Sequence, residues 1–176
     1  MEILKHYQNQ ALSNYDLIKL LNNKANIVIY PELINYDNID QVLGPHGACF
    51  LLFEAKPKYG HWCCLFKTNR NTIEFFNPYG GFPDDSLDYI PLHFREISGQ
   101  LYPLLSILLY ESPYNLVYNH IPFQRKSKDV KTCGRHCVLR LRRRDLSLEQ
   151  YKSLLDELSK RLHLNYDELV SLITTR

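Results

Sequence analysis

Three runs in the middle of the chain, Ala48 to Glu54, His61 to Lys67 and Thr72 to Phe76, are rich in strand-forming residues. Lys56-Pro57-Lys58-Tyr59-Gly60 and Thr68-Asn69-Arg70-Asn71 separate them and read as turns. Three adjacent antiparallel strands are therefore expected. Asn26 to Tyr30 is a further short β-branched run, stopped by Pro31, and Leu116 to Ile121 reads as one more strand.

The flanking segments have helical signals. Ser13 caps an apolar stretch through Leu17, Ile18, Leu20 and Leu21 that ends near Asn22-Asn23, and Glu96 to Tyr110 is read as helical despite Pro103. From Cys133 onward the pattern is helical, first to Arg144, then from a Ser147 cap with Glu149-Gln150 behind it, then from Asn165 with Asp167-Glu168 behind it. The expected fold class is α+β, a small central mixed sheet flanked by helices. With no repeat, low-complexity tract or Gly/Ser linker, one domain over residues 1–176 is the simplest organisation.

An apolar content of 45% with 12% aromatics is that of a folded globule. No apolar run approaches the roughly 18 to 20 residues that cross a bilayer, and the N-terminal residues lack a signal-peptide pattern, so a soluble intracellular protein is expected. Five cysteines, Cys49, Cys63, Cys64, Cys133 and Cys137, leave one unpaired under any disulfide scheme. One is a candidate for reactivity. The net charge of +2 hides an asymmetry: Arg125 to Arg144 holds nine Lys or Arg against Asp129 alone, a net +8 that leaves −6 for the remainder. That segment is expected to face something anionic or acidic.

Four short segments carry the chemistry of an acyl-transfer site. Cys133 stands where the basic loop becomes a helix, so unpaired N–H groups and the helix dipole favour negative charge on its sulfur. Gly134 beside it leaves room for an N–H aimed at an oxyanion. His61 is placed at a loop-strand junction as the base, with Trp62 on the opposite face of the strand. Asn77, at the end of the next strand, is suited to accept the second imidazole N–H and fix the tautomer, with Glu74 and Asp84 as the nearest carboxylates for the same task. Gln124, nine residues before Cys133, is a side-chain donor able to complete an oxyanion hole with the Cys133 N–H. Each residue also has a bland reading, as core filler, turn former or loop amide.

Gly60-His61-Trp62, Phe75-Phe76-Asn77-Pro78-Tyr79-Gly80, Gln124 and Cys133-Gly134 together resemble the adenain/Ulp1-like cysteine proteases, which present His, then Asp, Glu or Asn, then Gln, then Cys-Gly in this order. The resemblance covers about residues 47–141 and reverses the Cys-first order of papain. It implies a papain-like fold of the circularly permuted type, with catalytic Cys133, His61, Asn77 and Gln124. The short length and the Asn-Pro-Tyr-Gly variant resemble most closely the capsid maturation proteases of DNA viruses and of Sputnik-type virophages. That resemblance implies thiolate cleavage of capsid precursor polypeptides, often after small residues, at the assembly site in host cytoplasm and in the virion. No cofactor is required, although DNA stimulates one member of the class.

Three other readings fit parts of the pattern. A ubiquitin-like isopeptidase shares every catalytic residue and differs in substrate. A zinc module would draw on Cys133, His136, Cys137 and one of Cys63 and Cys64, but no C-x-x-C pair occurs and adjacent strand cysteines face opposite ways, so no metal site is expected. Nucleic-acid binding would place Arg140, Arg142, Arg143 and Arg144 along phosphates.

Overall fold

The computed structural model describes residues 1–175. Two short helices, α1 (Glu2–Asn9) and α2 (Asn14–Leu20), precede strand β1 (Asn26–Ile29), a 3₁₀ segment (Tyr30–Asn35) and helix α3 (Ile39–Leu43). Strands β2 (Ala48–Lys56), β3 (Tyr59–Asn69) and β4 (Thr72–Phe76) follow, then helices α4 (Leu92–Ser98) and α5 (Leu104–Tyr110) and strand β5 (Asn115–Tyr118). Helices α6 (Cys133–Arg142), α7 (Leu148–Leu162) and α8 (Tyr166–Thr174) complete the described chain.

The strands form one mixed sheet in the order β1-β2-β3-β4-β5. β2, β3 and β4 pair antiparallel as expected, while β1 and β5 join the two edges in parallel. Both faces are covered. Phe50, Leu52, Trp62, Cys64, Phe66 and Phe76 belong to a core shared with α6, whereas Leu51, Phe53, Cys63, Leu65 and Phe75 belong to a second core under α5 and the 3₁₀ segment. This explains why β2 reads as an unbroken apolar run, since a strand buried on both sides has no polar face to alternate with. Adjacent Cys63 and Cys64 fall in different cores, as strand alternation requires.

Helix starts follow their caps. Ser13, Ser147 and Asn165 each accept a backbone N–H three residues on, and Asp16, Gln150 and Glu168 return the bond as capping boxes. Elsewhere the structure corrects the sequence reading. The expected helix from Glu96 to Tyr110 is two helices, because Gly99 adopts a left-handed φ of 76° and Pro103 precedes α5 instead of interrupting it. The final strand ends at Tyr118, short of Ile121, and α6 ends at Arg142 instead of Arg144. The first hairpin turn is tighter than expected, so β3 begins at Tyr59: Gly60, expected in the turn, and His61, expected as the strand's first residue, both lie within it. A Cβ on Gly60 would stand 1.9 Å from the Phe53 carbonyl oxygen, so the cross-strand approach itself demands glycine.

Candidate active site

Cys133 is the first residue of α6 and is 9% exposed. The preceding residue, Thr132, does not cap the helix; its hydroxyl instead donates to Asp167 Oδ1 at 2.6 Å. The helix's first N–H groups are thereby left to the sulfur. Burial raises the Cys133 thiol, while N–H groups of Trp62, Gly134 and Cys133 itself pull it down. The Trp62 N–H lies 3.5 Å from Sγ. Gly134 has a packing reason as well as the expected one, since a Cβ there would press on Leu17, Leu12 and Trp62 at 3.2 to 3.4 Å.

Trp62 serves both core and site. Its indole N–H donates to the Leu12 carbonyl at 3.1 Å, and its carbonyl lies 3.5 Å from the Cys137 sulfur, which fixes the inner wall of the helix against β3. Cys137 is fully buried one turn behind Cys133.

His61 Nε2 lies 2.7 Å from Asn77 Oδ1. Asn77 Nδ2 donates to Ser86 Oγ at 3.1 Å, and the Tyr79 backbone N–H donates to the same Oδ1 at 2.9 Å. The Tyr79 ring stacks on the imidazole at 4.4 Å and 12°. Beyond the end of the β4–β5 ladder, the Asn119 side chain takes over the pairing: Oδ1 accepts the Asn77 N–H at 3.0 Å and Nδ2 donates to the Asn77 carbonyl at 2.7 Å. Asn77 is thus held through both backbone and side chain, and it is 1% exposed. The alternative carboxylates are committed elsewhere, Glu74 to Arg140 and Asp84 to the Tyr30 hydroxyl and the Ser106 N–H.

Burial pushes the His61 imidazole down to about 4; the Asn77 bond opposes this, and the charges of His136 and Lys126 add to it. Both shifts favour the uncharged forms, thiol and neutral imidazole.

Gln124 is 3% exposed and is fixed by its own backbone, whose N–H donates to the Pro78 carbonyl at 2.9 Å. Its Nε2 donates to the Val130 carbonyl at 3.2 Å and lies 3.5 Å from the Tyr79 hydroxyl. Because a carbonyl only accepts, that end of the amide is the nitrogen. His61, Trp62, Tyr79, Gln124 and Cys133 line one cleft of about 270 Å³.

Asp167, from α8, joins the two halves of this site from behind. Its Oδ2 accepts the Arg125 N–H at 3.1 Å, next to Gln124, and its Oδ1 meets both Thr132 Oγ1 and His136 Nε2, the latter at 2.9 Å. In the sequence Asp167 reads only as a helix-start signal and Tyr79 only as a motif letter, and nothing there marks Ser86 or Asn119.

The basic segment departs from expectation. Arg140 is fully buried between the Phe66 and Tyr151 rings and donates to both Glu74 oxygens, at 2.8 and 2.9 Å, so it is not available to phosphate. Arg144 donates to the carbonyls of His46, Gly47 and Lys67, and Arg142 to that of Leu20. Arg143 is exposed beside Asp145. The physical reason is that α6 packs its inner face on the sheet, which turns Arg140 to Glu74, while Arg142 and Arg143 at its end stay exposed. The residues of the zinc alternative disperse too, with His136 on Asp167 and Cys63 and Cys64 in separate cores.

No family model matches the chain. An uncharacterized protein of Sputnik virophage, V9, is 56% identical over 174 residues, spanning 99% of both chains. The chain belongs to the family of Sputnik virophage V9. That relationship places it among virophage proteins, as the motif resemblance anticipated. Among solved structures, the central domain of the uncharacterized Lpg1148 protein from Legionella pneumophila covers 94% of each chain at 14% identity with a TM-score of 0.42, too loose a likeness to place the two folds together.

Proposed function

We propose that this V9-family chain is a cysteine endopeptidase with a permuted papain-like site, cleaving capsid or other structural precursors during virophage assembly in host cytoplasm and in the virion. The observation that carries the reading is the His61–Asn77 pair at 2.7 Å, set in the same cleft as a cysteine at the start of a helix. The neutral Nδ1 of His61 takes the Cys133 proton as sulfur bonds to the scissile carbonyl carbon. The Cys133 N–H and a Gln124 Nε2 hydrogen receive the oxyanion, and His61 returns the proton to the leaving amine. Water then attacks the thioester, releasing the acid and restoring the thiol.

The test is alkylation by iodoacetamide and by a peptidyl vinyl sulfone, with the modified residue located by mass spectrometry. The vinyl sulfone is expected to modify Cys133 selectively, and to lose that selectivity in His61→Ala. Uniform slow modification of several cysteines by both reagents, unchanged by the substitution, would overturn the reading.

A further inference from the structure

The cleft that holds Cys133 and His61 is lined by Lys58, Lys128 and Lys131 and, among the described residues, by no aspartate or glutamate. None of these lysines has an ion-pair partner among the described residues. Lys58 stands at the tip of the β2–β3 hairpin on the His61 side. Lys128 and Lys131 lie on the loop that leads into Cys133. Both walls of the cleft therefore carry cations; Asp129, on the same loop, and Glu54, whose Oε2 accepts the Lys58 backbone N–H at 2.9 Å, do not line it.

A fourth cation extends the field. Lys126 Nζ donates to the Tyr89 hydroxyl at 2.9 Å and lies over the rings of Tyr89 and Tyr79, at 4.9 and 5.6 Å. Tyr79 is the ring stacked on His61. Its positive charge is felt at the imidazole, where it helps hold His61 neutral. Lys58 also occupies a left-handed backbone with φ 59°, a conformation that favours glycine or asparagine, so the cation sits where the backbone would prefer another residue. Unpaired cations on the walls of a narrow apolar cleft focus a positive potential into it.

We infer that this cleft selects a polypeptide segment carrying acidic side chains on either side of its scissile bond, with Lys58 reading one flank and Lys128 and Lys131 the other. The inference rests on the protease reading and adds the substrate's charge to it. A peptide is favoured over a nucleic acid because the lysines surround the thiol and imidazole, whose chemistry acts on a carbonyl.

Two fluorescein-labelled peptides with the same Gly-Gly centre, one flanked by glutamates and one by glutamines, separate the terms when added to the full chain. Anisotropy gives affinity, protection of Cys133 from iodoacetamide places the peptide, and chromatography of the same samples reads cleavage. The glutamate peptide is expected to bind at least about fivefold more tightly at low salt, with protection of Cys133. That ratio should fall toward one in molar salt and in the Lys58→Gln, Lys128→Gln, Lys131→Gln variant. The salt titration on the unmodified chain keeps the test independent of how the variant folds.

Equal affinities, a preference indifferent to salt, or binding without protection of Cys133 would each overturn the inference. Cys133-dependent cleavage of both peptides at equal rates would remove it while leaving the protease reading standing. Charge-selective, protective binding with no cleavage of either peptide would do the reverse. A single-stranded oligonucleotide that binds through the three lysines while the peptides are not discriminated would assign the rim to phosphate and overturn the inference.

Discussion

The Tyr79 backbone N–H donates to Asn77 Oδ1 at 2.9 Å, and this one bond sets the proton inventory of the site. A backbone N–H can only donate, so the atom it meets is the amide oxygen. The same oxygen lies 2.7 Å from His61 Nε2, which must then carry the ring proton, leaving Nδ1 as the basic nitrogen. The other end of the Asn77 amide is then the nitrogen, which donates to the Ser86 hydroxyl oxygen.

Asn77→Ala removes the orienting acceptor but leaves the Tyr79 stack on the ring. Its peptide cleavage is expected to fall less than that of His61→Ala, which forfeits the whole general-base term of roughly 10²- to 10⁴-fold. Asn77→Asp keeps the acceptor and adds a charge that favours the imidazolium, so it is expected to stay active while its acid limb moves to higher pH. Steady-state kcat/KM profiles of the three variants check this. Equal loss in Asn77→Ala and His61→Ala would mean that the ring cannot be held by stacking.

The pH profile itself follows from the direction of the His61 shift. The base must be unprotonated to act, and burial has lowered its titration to about 4, so activity is expected to persist well below the ordinary histidine range near 6.5 and to fail near pH 4. On the alkaline side, the raised thiol means that intrinsic alkylation of Cys133 by iodoacetamide continues to climb through the range where an ordinary cysteine levels off. A cleavage profile with an acid limb near 6.5 would contradict the lowered titration of His61.

The sequence shows strands and caps clearly because each is a local signal. Thr72 to Phe76 is both the expected run and the observed strand, and the three side-chain caps at Ser13, Ser147 and Asn165 all form. What local patterns could not show is which helix lies inside. Arg140, Arg142 and Arg144 look like a solvated cationic face by composition, yet the tertiary placement of α6 buries Arg140 against a carboxylate and lays Arg144, half-buried, on carbonyls, while Arg142 stays exposed with its guanidinium on the Leu20 carbonyl. The same limit hid Asn119, whose side chain stands in for a backbone ladder that a sequence pattern would simply end. That His61, Asn77, Gln124 and Cys133 come together was legible because motif order groups them. Ser86 and Asp167, which act through other residues, carry no such mark.

Asp167 is the next such residue to test. It ties the N–H beside Gln124, the hydroxyl before Cys133 and the ring of His136 into one buried cluster, and those partners hold its carboxyl below the usual carboxylate range against the effect of burial. Asp167→Ala is expected to cost about 3 to 5 kcal/mol in urea unfolding, because it strands several buried donors at once. Thr132→Val removes one hydroxyl and is expected to cost about 1 kcal/mol, with a larger fractional loss in kcat than in KM if the hydroxyl positions Cys133. A change confined to KM would assign the cluster to substrate binding instead.

The Arg140–Glu74 pair makes the sharpest stability prediction, because α6 and β4 meet there with both charges out of water. Arg140 donates to two carboxylate oxygens and also to the carbonyls of Arg143 and Leu146, at 2.8 and 2.9 Å, so the helix end and the loop after it depend on one guanidinium. Arg140→Met leaves Glu74 as an uncompensated buried carboxylate and is expected to cost about 3 to 5 kcal/mol by urea unfolding. Pairing it with Glu74→Leu removes both charges, and much of that cost is expected to return, although the two loop carbonyls stay without their donor. If the double variant proved no more stable than the single, the loop carbonyls rather than the stranded carboxylate would carry the penalty. Arg140 would then be chiefly a cap for the end of α6.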